Sequence, residues 1–387
     1  MTAQVWDGGP AAVLTVNAGS SSLRLDLVDG GSVVDSAHAE RAMEPDAARE
    51  ELSAFLGRHL DRDVAAVAHR LVHGGDLVRA PVVADDELAR GLRELTGLAP
   101  LHLPPALALL DAARELLPAV PHVLCPDTAF HAALPDAAAV YPLPRPWRER
   151  YGLRRYGFHG LSYAWASGRA AELLGRPVAD LGLVLAHLGG GASVCAVSGG
   201  RSLDTSMGFT PLDGLPMSKR SGAVDPGMLL WLLEDGRLTP DELRRGLERE
   251  SGLLGLSGGR SGDTRDLVAA ERDGDRAAGL ALEVFCHRVS REIAAAATSL
   301  DRLDALVFTG EIGWDQPEVR EAVCRRLGLL GVATPVRGNR ADDGPVSAPG
   351  AAVPVLVVEV HEELQLAREC LRELYGPVAP QEADRGP

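Results

Sequence analysis

The feature that most constrains this chain is one design written twice. Ala12 to Val16 reads as a buried strand, Asn17 to Ser22 as a turn of small residues, and Leu23 to Val28 as an alternating strand closed by Asp29-Gly30-Gly31. About 170 residues later the order returns. Leu183 to His187 is a strand, Leu188 to Ala192 a glycine-rich turn, Ser193 to Val197 a second strand, and Ser198-Gly199-Gly200 the hairpin turn behind it. Solenoid repeats are about 20 to 50 residues long, so this period points to two related domains instead. A third strand, Ala305 to Thr309, runs into a turn at Gly310 to Gly313 and a helix expected over Pro317 to Leu327.

Helical spacing between breakers marks Ala47 to Leu60, Asp85 to Leu95, Pro105 to Leu117, Leu161 to Leu174, Pro240 to Glu250 and Arg276 to Leu300. Arg337 to Gly350 reads as a surface loop, Ala352 to Val360 as a last strand, and Glu362 to Leu374 as a closing helix. Strands alternating with helices make this an α/β chain. Its 387 residues suit two or three domains.

Charge excludes some partners. A net charge of −15 repels phosphate polymers, which argues against nucleic acid and anionic membranes. No apolar run approaches the ~18 residues of a membrane span, and Met1 to Gly9 lacks the pattern of a secretory signal. Cys125, Cys195, Cys286, Cys324 and Cys370 are scattered, as expected of reduced thiols in a cytoplasm. Lys219 is the single lysine, so an arginine elsewhere is weak evidence that arginine was required.

The chain has no G-x-x-x-x-G-K-[ST] loop. The tips Asn17 to Ser22 and Gly189 to Ala192 remain, where small residues let a phosphate approach main-chain N–H groups. Either tip taken singly is as readily a plain tight turn. Arg70 lies between His69 and His73 and before Gly74-Gly75, which end any helix there. Two structural histidines are the simpler reading than a metal pair, and Arg70 is the functional candidate. Asp204 to Pro226 is long, polar and irregular, the mark of a functional loop, and contains Lys219-Arg220. Asp127 follows a strand end, and His159 lies on an aromatic-flanked turn before a helix.

Together these segments resemble the acetate kinase family of short-chain acyl kinases. The matches are VNAGSSSLR (Val16 to Arg24), HRLVHGG (His69 to Gly75), APLHLPP (Ala99 to Pro105), DTAFHAALP (Asp127 to Pro135) and RYGFHGLS (Arg155 to Ser162). HLGGGAS (His187 to Ser193), DTSMGFTPLDGLPMSKRSG (Asp204 to Gly222) and SGLLGLSGG (Ser251 to Gly259) continue them in order. The resemblance implies two duplicated actin-like (ribonuclease H-like) domains around a central cleft. Their expected extents are residues 1–140 plus 365–387, and 141–364, the latter carrying the nucleotide and the interface of a homodimer.

It implies reversible phosphoryl transfer between ATP and acetate, giving acetyl phosphate and ADP, with Mg²⁺ or Mn²⁺. Propionate or butyrate kinase, a pyrophosphate-using variant and a degenerate non-catalytic homologue are the alternatives. The implied catalytic residues are Arg70, Asp127, His159 and Arg220, with Asn17 and Glu362 near the metal. Arg70, Val72, Leu101, Phe158 and Pro211 would hold the carboxylate. Ser22, Arg24, His187, Leu188, Gly189, Gly190, Gly191, Asp263, Thr264, Arg265, Glu311, Ile312, Gly313, Trp314 and Asp315 would hold the nucleotide.

Three departures stand out. Arg24 replaces the family's usual lysine, Gly190 its asparagine, and Glu311-Ile312-Gly313-Trp314-Asp315 its Gly-Ile-Gly-Glu-Asn. A carboxylate at Glu311 about 4 Å from a phosphate would repel it by roughly 1 to 4 kcal/mol, depending on the local dielectric.

Overall fold

The computed structural model describes residues 12–19, 22–39, 45–59, 63–98, 102–335 and 342–376. It divides into two compact units, with breaks at Ala129/Phe130 and Val360/His361, so the last helix belongs to the first unit. The expected borders, 140/141 and 364/365, lie further along the chain. Phe130 and His131 pack on Tyr163, and His131 bonds to Ser202 and Phe158. These contacts assign the segment from Phe130 onward to the second unit.

The first unit is built on six strands: β1 (Ala12–Ala18), β2 (Leu23–Asp29), β3 (Ser32–Ala39), β4 (Val64–Leu71), β5 (Val82–Val83) and β6 (His122–Pro126). Their order across the sheet is β3-β2-β1-β4-β6-β5. β1 pairs antiparallel with β2 and parallel with β4, and β4 pairs parallel with β6. Parallel central strands must be buried on both faces, which β1 satisfies with an almost unbroken apolar run. Leu52 and Phe55 from the helix Pro45–Gly57, with Leu109 and Ala113 from the helix Leu103–Leu116, share a core with Leu14, Val16, Leu25 and Leu27. The helix Glu362–Tyr375 also packs on β1, β4 and β6.

The second unit repeats this plan with β7 (Gly182–Leu188), β8 (Ala192–Ser198), β9 (Arg201–Thr205), β10 (Ala305–Thr309), β11 (Gly344–Pro345) and β12 (Val355–Val357). Its order, β11-β12-β10-β7-β8-β9, is the first sheet read strand for strand from the other edge. The parallel and antiparallel pairings correspond as well. The duplication anticipated from the two hairpins therefore extends over all six strands. Leu183, Leu185, Val307 and Leu356 meet Tyr163, Ala166 and Ala170 of the helix Gly160–Leu174 in the core.

Several boundaries differ from expectation for local reasons. Gly310 to Gly313 opens a short helix, Gly310–Asp315, closed by the Gln316 N–H on the Ile312 carbonyl at 3.0 Å. Only Gly310 itself, at φ +76°, is a turn residue. β12 is shorter than Ala352 to Val360: it begins only at Val355, Pro354 having no N–H for the ladder, and ends at Val357. The helices from Arg276 and Pro317 stop at Ala297 and Cys324. No helix among the described residues is long and apolar enough to cross a membrane.

Candidate functional site

In each sheet, the carboxyl ends of the parallel strands carry the polar side chains. This is where α/β sheets place their ligands, because the chain leaves the strand there and side chains need not pack. In the first unit Asn17 lies near the end of β1, Arg70 near the end of β4, and Asp127 directly after β6. Asp127 opens a 3₁₀ turn, Asp127–His131. Glu362 is the first residue of the last helix.

These four side chains form one hydrogen-bonded cluster. Arg70 donates from Nε and Nη2 to the two oxygens of Asp127, at 3.2 and 2.7 Å. Its Nη1 donates to Asn17 Oδ1 at 3.0 Å, and Asn17 Nδ2 donates to Glu362 Oε2 at 2.9 Å. Glu362 Oε2 is 3.7 Å from Arg70 Nη1. The Asp127 side chain is 1% exposed and that of Arg70 14%, so the pair is largely desolvated and its fork geometry matters. Burial by itself would lower the Arg70 pKa, but the charges of Asp127 and Glu362 outweigh it and leave the guanidinium raised.

A second ionic chain lies beside this cluster. Arg24 bonds to Asp26 at 3.0 Å and lies 3.4 Å from Glu363, which accepts from His361 Nδ1 at 2.8 Å. Arg24, expected at a phosphate, is thus engaged with two carboxylates. Burial raises the Asp26 carboxyl although Ser36 and Arg24 bond to it. Ser22 is half-buried before β2, and Val72 is buried just beyond β4. Leu101 lies outside the described residues. His69 and His122 bond to each other at 3.0 Å in the interior, and His73 accepts from the Gly75 N–H at 2.9 Å, as structural histidines do. Among the described residues no group of three or more His, Cys, Asp or Glu could hold a metal.

In the second unit His187 and Leu188 end β7 and lead into Gly189-Gly190-Gly191. The Gly189 N–H closes this tip on the Gly191 carbonyl at 2.9 Å. Two other segments meet it. The Ser218 N–H reaches the Gly190 carbonyl at 3.4 Å, and a Cβ on Gly189 would lie 3.7 Å from the Glu311 nitrogen. The glycine tip, the loop of Arg220 and the start of the Gly310–Asp315 helix are therefore neighbours. Arg220 is half-buried, and among the described residues its guanidinium has one hydrogen-bonding contact, the Met217 sulfur 3.9 Å away. Burial lowers its pKa against the pull of Glu248. A desolvated guanidinium with no carboxylate at salt-bridge distance among the described residues is prepared to receive an anion. Lys219 next to it is exposed.

His159 stands at the entry of the helix Gly160–Leu174 in a left-handed conformation, φ 59°. Its ring stacks on His187 with centroids 4.2 Å apart, and its Nδ1 is 2.8 Å from Ser193 Oγ. A Cβ on Gly191 would come 3.0 Å from His159 Nε2, so that nitrogen faces the glycine tip. Phe158 is buried and Pro211 half-buried in the same unit. Asp263 caps the helix Thr264–Arg272, accepting from the Arg265 N–H at 2.8 Å and from the Arg265 guanidinium at 2.7 Å, while Thr264 is buried. Glu311 is exposed, Ile312 and Gly313 are buried, and Trp314 and Asp315 half-buried. The carboxylates of Glu311 and Asp315 both act electrostatically on Arg265.

Three surrounding residues escaped sequence reasoning. Ser193 and Tyr163 back His159. Arg320, wholly buried, donates from Nη1 to the carbonyls of Gly313 and Trp314 at 3.0 and 2.7 Å. The last had a signal: it shares the buried face of its helix with Val319, Val323 and Cys324, a place where an arginine needs a partner.

The model of the acetokinase family matches residues 32–368. The chain belongs to the acetokinase family. An acetate kinase of Deinococcus radiodurans is 44% identical to it over 385 residues, covering 92% of this chain and 96% of that protein. The acetokinase fold extends to solved structures. A propionate kinase of Francisella tularensis superposes with a TM-score of 0.86 at 30% identity, covering 94% of this chain and 99% of its own. An acetate kinase of Porphyromonas gingivalis gives 0.84 at 32%, covering 94% and 100%. The duplicated α/β plan expected of an acetokinase is thus the fold of this chain.

Proposed function

We propose that this acyl kinase moves the γ-phosphoryl group of ATP reversibly to acetate, giving acetyl phosphate and ADP. The observation that carries the reading is the cluster of Asn17, Arg70, Asp127 and Glu362, which four distant stretches of sequence bring within hydrogen-bonding distance of one another. Of the five N–H donors of Arg70, three are engaged, which leaves two for a substrate carboxylate. Asp127 fixes the guanidinium plane and orients those donors. The transferring phosphoryl group needs its equatorial charge neutralised more than it needs covalent help. Arg220 supplies a desolvated cation, His159 an imidazole N–H from Nε2, and the Gly189–Gly191 tip main-chain donors. Glu311 to Asp315 and Asp263 to Arg265 form the nucleotide side.

The oxygen donors of Asp127, Glu362 and Asn17 suit a hard divalent cation that takes most of its ligands from phosphate and water. Asn17 and Glu362 would hold Mg²⁺ or Mn²⁺, and a bound ion would neutralise phosphoryl charge. The five cysteines are all unpaired and buried, which supports a cytoplasmic enzyme. A homodimer is supported by the helix Pro226–Leu233, which buries none of its side chains and exposes Met228, Leu230, Trp231 and Leu233.

A second reading concerns the donor. The exposed Glu311 could disfavour ATP relative to pyrophosphate, but ATP is the reading retained. A hydroxamate assay with ATP, GTP and pyrophosphate, each against acetate, propionate and butyrate, tests both. Highest turnover with ATP and acetate is expected. Turnover with pyrophosphate alone would replace the donor, preference for a longer acid would replace the acceptor, and no product at all would leave a binding protein.

A further inference from the structure

We infer that Tyr163 and Ser193 form a positioning relay that orients His159 with a proton on Nε2, facing the Gly189–Gly191 tip. The inference deepens the role given to His159 above and rests on it. Tyr163 and Ser193 are both fully buried. Among the described residues the hydrogen-bond partner of the Tyr163 oxygen is the Ser193 hydroxyl. Burial raises the phenol well above its ordinary value, so the hydroxyl keeps its hydrogen.

Among the described residues that hydrogen has one hydrogen-bonding acceptor, Ser193 Oγ. If the bond ran the other way, the phenolic hydrogen would be stranded in a dry interior, a cost that buried hydroxyls avoid. Ser193 therefore accepts from Tyr163 and gives its own single hydrogen to His159 Nδ1, 2.8 Å away. An imidazole whose Nδ1 accepts carries its proton on Nε2 when neutral. The ring is also fixed in place. It stacks on His187, whose Nδ1 is 2.8 Å from Ser162 Oγ. Its backbone holds a left-handed conformation that few residues with a side chain adopt. The glycine at 191 leaves room for Nε2 above the tip. The relay thus sets the orientation and tautomer of a hydrogen-bond donor without touching substrate, as the carboxylate of a catalytic triad does for its histidine.

Nitrogen-15 NMR of histidine-labelled protein, with His159 assigned by loss of its signals in His159→Gln, reads the tautomer directly. The wild type is expected to show the Nε2–H pattern. Ser193→Ala and Tyr163→Phe should mix the tautomers and lower kcat about tenfold, with KM for acetate and ATP held within about twofold. Ser193→Thr, which keeps the hydroxyl, should restore both. A wild-type Nδ1–H pattern would overturn the relay whether or not any variant folds. So would an unchanged tautomer and kcat in folded Ser193→Ala. Full activity in His159→Gln would instead overturn the role of His159, leaving the NMR result to judge the relay alone.

Discussion

Arg70 and Asp127 illustrate how a buried ion pair can serve function more than stability. Replacing either partner leaves the other charge without a counterion, and breaking such a pair costs about 3 to 5 kcal/mol when burial is complete. Asp127→Asn keeps the shape of the acceptor while removing its charge, and the 14% exposure of Arg70 lets water compensate in part. We expect a loss of stability at the low end of that range, with kcat lowered about 100-fold or more, measured by calorimetry and the hydroxamate assay. Arg70→Lys should lose most activity as well, since an ammonium cannot grip Asp127 through a fork and present two further donors. Glu311 poses a different question at the same scale. Because Glu311 is exposed and water screens its charge, Glu311→Gly should change ATP affinity by less than about tenfold, the factor that 1.4 kcal/mol represents. Isothermal titration decides, and a larger gain on mutation would show that the carboxylate limits nucleotide binding.

Single turns and strands carry their own tests. Gly310 links β10 to the helix Gly310–Asp315 at φ +76°, and a Cβ there would come 2.6 Å from the Leu188 carbonyl oxygen. Gly310→Ala should therefore cost about 1 to 3 kcal/mol in urea denaturation, the combined price of a left-handed backbone and a main-chain clash. The 3₁₀ turn Asp127–His131 has a pH signature. His131 is fully buried, and burial pushes its pKa down to about 4 although its bond to Phe158 opposes this. Below about 6.5 the unfolded chain binds a proton that the folded chain refuses, so stability present at neutral pH is lost between about pH 6.5 and 4. The loss from His131 alone amounts to about 3 kcal/mol. Burial lowers His69 and His122 as well, adding to the same trend. Urea midpoints at pH 7 and pH 5 should fall with acidification, and His131→Gln should reduce the slope. At this scale the sequence was legible wherever periodicity and breakers agreed: the helix expected over Leu161 to Leu174 runs from Gly160 to Leu174. It misled at Gly310 to Gly313, where two glycines suggested a turn but hydrogen bonding within the segment made a helix.

Across the whole molecule, one six-strand plan occurs twice, and the second copy leaves an apolar helix, Pro226–Leu233, uncovered. If this face pairs two copies of the chain, Leu230→Asp with Trp231→Asp should convert a dimer to a monomer in light scattering after gel filtration. A monomeric wild type would remove the homodimer from the proposal. The amino-acid sequence alone determined the fold class, the doubling of the hairpin and the residue types from which a phosphoryl-transfer site can be assembled. Each of these is recorded in local order, through alternating hydrophobicity, small residues at tips and breakers at ends. Only the tertiary structure decided that Arg24 bonds to Asp26 and Glu363, that Glu362 joins Asn17 across 345 residues, and that Tyr163 and Ser193 stand behind His159. Such pairings depend on which strand ends lie side by side and which donors burial deprives of water. Residues distant in sequence acquire them only when the sheet closes over them.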